Sequence, residues 1–337
     1  MSRPNWEKIV SYSIAFVLLA CIPGLFQNRY LLGTITFMLI NVLLAASCWF
    51  IMTTGQVTLG HAGFAAIGGY VSAAFISRAG LSSWWSLLIA MGMAGLLAFI
   101  IGCVTLRIKG IYFIVATLAL GEVIRVVLGS WDNPFGGLTG IMNLPPPDPI
   151  ALPGLPVLSF ESKVSLYYLS LVFVLAGIAV MHRLNRSQIG LIFQGIRQAD
   201  ELAENIGINI MGYKVFAFVV GCVFAALGGV LYTYVVGSIQ PSSFTLVQSA
   251  YYLVYVAVGG GAHVFGPIFG ALVLDILSVC LRPVKEFEPI IFALILIGAV
   301  LLLRGGLIGL VEQIGRRARA VIAGFPRRNG MAVFRRP

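Results

Sequence analysis

The sequence predicts an all-α membrane protein with about 8–10 transmembrane helices. Three observations predict it. Of 337 residues, 59% are apolar and 10% charged, and the mean hydropathy is +0.97. A water-facing surface needs more charge than that. Apolar runs of roughly 18 or more residues, enough to cross about 30 Å of hydrocarbon, recur along the chain. The basic residues between these runs fall on one side of the membrane under a single topology.

The apolar runs place spans at 9–26, 30–52, 57–77, 84–106, 110–130, 164–181, 215–236, 246–262, 264–281 and 289–303. Arg3 and Lys8 precede the first run as in a signal peptide, but a second span follows at once, so it reads as a retained helix. With the amino terminus inside, Arg107 and Lys109 lie in a cytoplasmic turn, and 182–214, with His182, Arg183, Arg186, Arg197 and Lys214, is also cytoplasmic. Residues 131–163 form an external, periplasmic loop whose "NLPPPDPIALPGLP" cannot continue a helix and favours stiff, extended backbone. Residues 1–304 are thus one transmembrane domain, with a cytoplasmic loop at 183–213, and 305–337 are a basic cytoplasmic tail.

The net charge of +10 is concentrated near that tail. From Arg304 onward there are eight arginines (Arg304, Arg316, Arg317, Arg319, Arg327, Arg328, Arg335, Arg336) against Glu312 alone. Beside a span, such a segment signals topology and contacts anionic lipid headgroups. No folded basic module accompanies it, so nucleic acid is not an expected partner. Cys21, Cys48, Cys103, Cys222 and Cys280 are single and set in apolar runs, which argues against disulfides or zinc. His61, His182 and His263 are far apart and predict no metal cluster. None of the five lysines follows a glycine, so there is no phosphate-cradling GxxxxGK[ST] loop, and HExxH and GxSxG are absent. No cofactor is expected in this chain, and any ATP that drives it is hydrolysed by another subunit.

Two glycine-rich stretches interrupt the apolar pattern. "TTGQVTLGHAGFAAIGGY" (Thr53–Tyr70) and "AVGGGAHVFGPIFGALVL" (Ala257–Leu274) each begin a small-residue helix after a break. Glycine-interrupted segments in matching halves point to an inverted-repeat transporter with broken helices; small residues that let helices approach closely give the same pattern. On the first reading Gly55, Gln56, Gly60, His61 and Gly68, with Gly260, Gly266, Pro267 and Gly270, line a translocation pathway. The span count puts both breaks on one side, whereas an inverted repeat requires one of them to be embedded.

Charges inside spans are costly and mark function or a partner. Glu122 and Arg125, three residues apart on one helix, are placed to pair with each other, either as a lock between helices or as a grip on a zwitterion. Asp275 has no local partner and must face a wet cavity or another helix. His61 opens a span, as a helix-start hydrogen-bonder or as a ligand.

The densest acidic cluster is in "ADELAENIGI" (Ala199–Ile208). Asp200, Glu201 and Glu204 fit near the positive start of a short helix. Leu202, Ala203 and Ile206 form a compact apolar face, and Gly207 permits the left-handed turn that ends it. A solvated loop helix and an element gripped by a partner both fit.

The surrounding "SQIGLIFQGIRQADELAENIGINIMGYKVFAF" resembles the cytoplasmic EAA loop of binding-protein-dependent ABC importers, through Glu201, Ala203 and Gly207, with Leu202 where the pattern has a middle alanine. Lys214, Ala217 and Phe218 continue the pattern. "GQVTLGHAGFAAIGGY" resembles the signature of branched-chain amino-acid ABC transporter permeases of the LivM-like type. "RIKGIYFIVATLALGEVIR" resembles their next block at Arg107, Gly110, Tyr112, Phe113, Thr117, Leu118, Glu122 and Arg125. "GGGAHVFGPIFGAL" resembles their late glycine motif at Gly259, Gly260, Gly266, Pro267, Gly270 and Ala271, with His263 in place of a small hydroxyl residue. The likeness covers roughly residues 30–305.

The resemblance implies one membrane subunit, not itself an enzyme, of a bacterial inner-membrane importer for branched-chain or related small amino acids. A homologous permease, two ATPase subunits that bind ATP and Mg, and a periplasmic substrate-binding protein would complete it. Arg197, Asp200, Glu201, Ala203 and Gly207 would couple to the ATPase. Urea or short amides are the alternative cargo. A proton-coupled secondary transporter using Glu122 and Asp275 is the rival from another class, while an intramembrane enzyme would need a catalytic cluster that the sequence lacks.

Overall fold

The computed structural model describes residues 28–150, 158–261 and 263–281, with isolated positions at 23, 24, 291, 294 and 309. The expected spans 9–26 and 289–303 and the basic tail therefore lie outside the described residues, apart from those isolated positions. Among the described residues the fold is all-α: α1 (Arg29–Met52), α2 (His61–Ala79), α3 (Ser83–Thr105), α4 (Ile111–Ser130), α5 (Lys163–Arg186), α6 (Gln188–Gln198), α7 (Asp200–Asn205), α8 (Ile210–Val236), α9 (Leu246–Gly259) and α10 (Phe265–Leu281). Five of these, α1, α3, α4, α5 and α8, are long and apolar enough to cross a membrane, and α10 is a shorter apolar helix.

α1 and α8 form the antiparallel centre. Leu43, Phe50, Phe218 and Val230 are fully buried between them and their neighbours. Close approach rests on small residues: a side chain at Gly221 would strike Ile51, and one at Gly228 would strike Leu44. α4 lies at the other extreme, with the least buried apolar stretch of the five.

The packing has a two-fold echo. α8 packs on α1, α2 and α3, while α1 packs on α8, α9 and α10; within each set the last two helices also pack together. Since α1 and α8 run in opposite directions, α1–α2–α3 and α8–α9–α10 share one packing order with inverted direction. This corrects the expected register of the repeat. The partner of the break at 53–60 is the segment 237–245 between α8 and α9, not the glycines around Gly260–Gly266, which turn the chain between antiparallel α9 and α10. Glycine spacing reported tight approach in both places, but only depth distinguishes an embedded break from a turn at a helix end.

The depths follow from hydrogen bonds. His61, the first residue of α2, bonds Ser47, which is about 8 Å short of the end of α1. Leu246, the first residue of α9, bonds Glu122, about 12 Å short of the end of α4. Both half-helices therefore begin inside the bundle, α2 entered from the end that carries α6 and α7, and α9 from the opposite end.

Expected boundaries shift at α2 and α5, among others. α2 begins at His61, because 53–60 is not helical. α5 continues to Arg186, so the loop after it begins at Ser187; Arg183 and Arg186 occupy the last turn, where cations favour a helix end. The loop 131–163 is tied down at several points. Asp148 accepts from the Ser83 N–H (2.7 Å) at the start of α3, Ile141 pairs with Ile239, and Lys163 donates to the Val235 carbonyl (2.9 Å). Its prolines stiffen a segment that docks on the ends of α3 and α8.

Candidate functional site: two embedded helix starts

A helix start leaves backbone N–H groups without partners, and no water inside a bundle supplies them. Here side chains do, most of them on other helices. The Leu59 N–H donates to Thr117 Oγ1 on α4 (3.2 Å), and the Gly60 N–H to Thr58 Oγ1 (3.2 Å). The Ala62 N–H donates to Ser249 Oγ on α9 (2.9 Å), joining the two half-helices directly. At the start of α9, the Leu246 N–H donates to Glu122 Oε1 (3.2 Å). Glu122 thus caps α9 from a neighbouring helix, at its positive end, where a carboxylate is favoured. Arg125 Nε donates to Glu122 Oε2 (2.7 Å), so the expected pair forms and carries the additional cap.

Ser47 Oγ lies 2.8 Å from His61 Nε2 and 2.9 Å from the Leu44 carbonyl oxygen, so it hydrogen-bonds at the start of α2 and within α1. His61 Nδ1 is buried without a hydrogen-bond partner among the described residues. His61 is fully buried, edge-on to Tyr252. Glycines bring α4 against these groups. A Cβ on Gly60 would stand 2.5 Å from the Thr117 carbonyl oxygen, and one on Gly63 3.1 Å from Gly121 Cα. The recess between Leu59, Gly63, Gly121, Thr245 and Ser249 has no room for a water-sized group.

Of the proposed pathway residues, the structure places Gly60 and His61 at the embedded starts. Gly68 lies farther along α2, against the backbone of Ala226. Gln56 is buried in the break. Gly55, at φ +84°, would bring a Cβ to 3.5 Å from Arg197 Cα, so the break rests on α6. Gly260 (φ +103°), Gly266, Pro267 and Gly270 form the α9–α10 hairpin, where Gly266 abuts the Gly260 carbonyl and Gly270 the Tyr255 carbonyl. Trp49 Nε1 donates to the Gly261 carbonyl (3.0 Å), pinning that turn to α1.

Asp275 faces other helices: it accepts from Tyr255 Oη (2.6 Å) and from Asn41 Nδ2 (3.0 Å), which ties α10 to α9 and α1.

At the end of the bundle that carries α6 and α7, the acidic cluster divides by role. Asp200 bonds Lys214 Nζ at the start of α8 (2.7 Å) and lies 3.9 Å from Lys109 Nζ between α3 and α4. With buried Ala203 it anchors α7 to the bundle. Glu201, Leu202, Glu204 and Ile206 point outward; Leu202 is 68% and Ile206 77% exposed. The expected apolar face is therefore split, with only Ala203 turned inward, and Glu204 lies in the last turn of α7 rather than near its positive start. Gly207, at φ +84°, ends the helix as expected.

A sequence profile of the family described as "Branched-chain amino acid transport system / permease component" matches residues 30–304, which takes in both embedded starts and the α6–α7 segment. The chain belongs to this family. It is 29% identical over 252 residues to the high-affinity branched-chain amino acid transport system permease protein LivM of Escherichia coli K12, covering 70% of this chain and 59% of that protein. To the Salmonella typhimurium LT2 protein of the same name it is 28% identical, with the same coverage. A probable branched-chain amino acid transport permease protein LivM of Methanocaldococcus jannaschii is 24% identical over 232 residues, 64% of this chain and 65% of that one. The chain spans about 59% of the length of the first two relatives. No solved structure matches.

In this permease component the sequence reading found the charged members of the site and missed their uncharged partners. Ser249, Ser47 and Asn41 are small polar residues in apolar helices, and their one available signal is that location, whereas Thr117 stood out only as a motif match. The charge pair yields a prediction. Glu122→Gln leaves Arg125 without its carboxylate, and Arg125→Gln leaves Glu122 with the Leu246 N–H alone. Each change should lower folded yield by several-fold, from a cost of about 2.5 kcal/mol or more for an orphaned intramembrane charge. In the double variant Glu122→Gln/Arg125→Gln, the new amide at position 122 still offers an oxygen to the Leu246 N–H, so yield should recover, with uptake following it. A double variant that is abundant but inactive would instead assign the pair to substrate.

Proposed function

We propose that this chain is one membrane-spanning subunit of an ABC importer for branched-chain or related small amino acids, in a bacterial inner membrane. Family membership supports the substrate class. The observation that carries the energy source is α7: a short helix anchored by Asp200 and Ala203 that presents Leu202, Ile206, Glu201 and Glu204 outward. A solvated loop gains nothing from two exposed aliphatic side chains held in fixed positions, whereas an ATPase surface does.

The end bearing Arg107, Lys109, Arg183, Arg186, Arg197 and Lys214 is cytoplasmic by the positive-inside rule, and the amino terminus, the 305–337 tail and the carboxy terminus share that side. A homologous permease closes the other half of the pathway across the open face of α4. Two ATPase subunits bind ATP and Mg below, and a periplasmic binding protein delivers cargo from the far side. When the ATPases move, α7 carries force along two routes. One runs through Asp200–Lys214 into α8, which holds α2. The other runs through α6 and the Arg197–Gly55 contact into the break that leads to His61. Rocking of the two inverted repeats then opens the recess between the embedded starts to alternate sides.

The substrate is tested by uptake of labelled leucine into vesicles holding the complete complex. Unlabelled isoleucine and valine should compete and urea and acetamide should not. Competition by urea or acetamide alone would transfer the assignment to short amides.

A further inference from the structure

At the basic end, a cavity of about 710 Å³ opens between the last turn of α5, helix α6 and the Gly261–Phe265 turn. Among the described residues, no acidic side chain lines it. Arg186 and Arg197 both do, and among the described residues neither has a carboxylate within ion-pair distance. His182, one turn before Arg186, contributes a buried Nδ1 that has no hydrogen-bond partner. Asn185, Gln194 and Gln198 add amide groups, and Trp49, Val264 and Phe265 give an apolar part. We infer that this cavity binds a phosphate group.

The chemistry follows from the lining. Two guanidinium groups present forked N–H donors that match phosphate oxygens in pairs, and neutral amides extend the donor set without opposing the charge. The volume falls in the range of small-ligand sites. Its position says which phosphates reach it. The lining comes from the ends of α1 and α5 and the start of α10, at the depth where a bilayer has its headgroups. Basic pockets between helices there take anionic phospholipid heads. A soluble phosphate compound from the cytoplasm has the same chemistry and the same access. In either case the ligand touches α6 on one side and the α9–α10 turn on the other, so it braces the loop that carries α7 against the second inverted repeat. The inference does not depend on the transported substrate or the energy source.

The test is retention of lipid by the full-length chain, purified in uncharged detergent and examined by native mass spectrometry. The probes are phosphatidylglycerol, phosphatidylcholine and inorganic phosphate. The wild type should retain phosphatidylglycerol about tenfold over phosphatidylcholine. The double variant Arg186→Gln/Arg197→Gln should lose that preference, while Arg107→Gln, at the same end but outside the cavity, keeps it. Displacement of the retained lipid by inorganic phosphate supports one shared site. Protection of the wild type against thermal unfolding by inorganic phosphate, without lipid preference, assigns the site to a soluble phosphate compound, provided the double variant loses the protection. Arg186→Lys/Arg197→Lys, which keeps both charges, gives a second variant if the glutamine pair folds poorly; it should retain part of the preference. A wild type with neither lipid preference nor phosphate protection overturns the inference, as does an undiminished preference in a folded glutamine double variant.

Discussion

A chain carrying Leu202→Asp and Ile206→Asp is expected to insert and fold normally and to lose nearly all uptake. Neither side chain is buried in the bundle: Leu202 on α7 and Ile206 just after its end both stand more than two-thirds exposed, while Asp200 and Ala203 hold the helix in place. Folded yield should therefore stay within about twofold, as for other exposed substitutions. Apolar anchors at a partner interface cost about 2 kcal/mol each when removed, or roughly thirtyfold in affinity apiece. ATPase bound during purification and ATP-driven uptake should fall together, by about a hundredfold or more. Glu201→Lys should act the same way, and so should Gly207→Val, because a β-branched residue at φ +84° is strained and shifts the helix end. Normal uptake by these variants would remove α7 from the coupling route.

The second large effect is at the opposite end of that route. Gly60→Leu places a Cβ 2.5 Å from the Thr117 carbonyl oxygen, so the start of α2 must leave α4 or α4 must move. Overpacking of this kind costs about 1–3 kcal/mol and occasionally more. It also breaks the Leu59–Thr117 and Ala62–Ser249 hydrogen bonds on which the two embedded starts depend. Uptake per folded molecule should drop below about a tenth of wild type. Gly266→Leu should be comparably damaging by forcing apart the α9–α10 hairpin. Gly92→Leu is the control, since a side chain there meets nothing within 4 Å. Equal loss from Gly60→Leu and Gly92→Leu would mean that bulk alone, not the meeting of α2 with α4, sets the effect.

Much of this fold is legible in the sequence because lipid imposes one rule on long apolar runs. α1, α3 and α4 begin and end within one residue of the expected spans, bounded by charge, serine or glycine. The half-helices were harder. "GSIQPSSFT" before α9 carries one glycine, Pro241 and a run of polar residues, so it reads as an ordinary external loop. Only the Leu246–Glu122 bond shows that the chain has returned to the interior. The glycines of Gly259–Gly270 drew attention to a hairpin because glycine marks close backbone approach at any depth. At α5 the expected end came too early, because Arg183 and Arg186 favour a helix terminus as much as they favour the aqueous phase.

The candidate site shows the same division. Glu122, Arg125 and Asp275 stand out because charge inside a span is rare. Their working partners, the Leu246 N–H, Tyr255 and Asn41, are set by packing between segments distant in sequence. Asp200 is a further case: composition grouped it with Glu201 and Glu204, whereas the structure turns it inward to Lys214 and leaves the other two outside. One acidic cluster thus serves both to hold the helix and to present charge outward.

On the proposed mechanism, ATP hydrolysis by partner subunits, acting through α7, moves substrate through this chain. The most direct measurement is accumulation of labelled leucine in vesicles that contain the chain with its companion permease, ATPase subunits and binding protein, set against vesicles that contain the chain alone. Accumulation is expected in the complete system when ATP is present on the ATPase side, and none from a pH gradient without ATP. Accumulation by the chain alone, driven by a pH gradient and indifferent to ATP, would contradict it and make Glu122 and Asp275 proton sites of a secondary transporter.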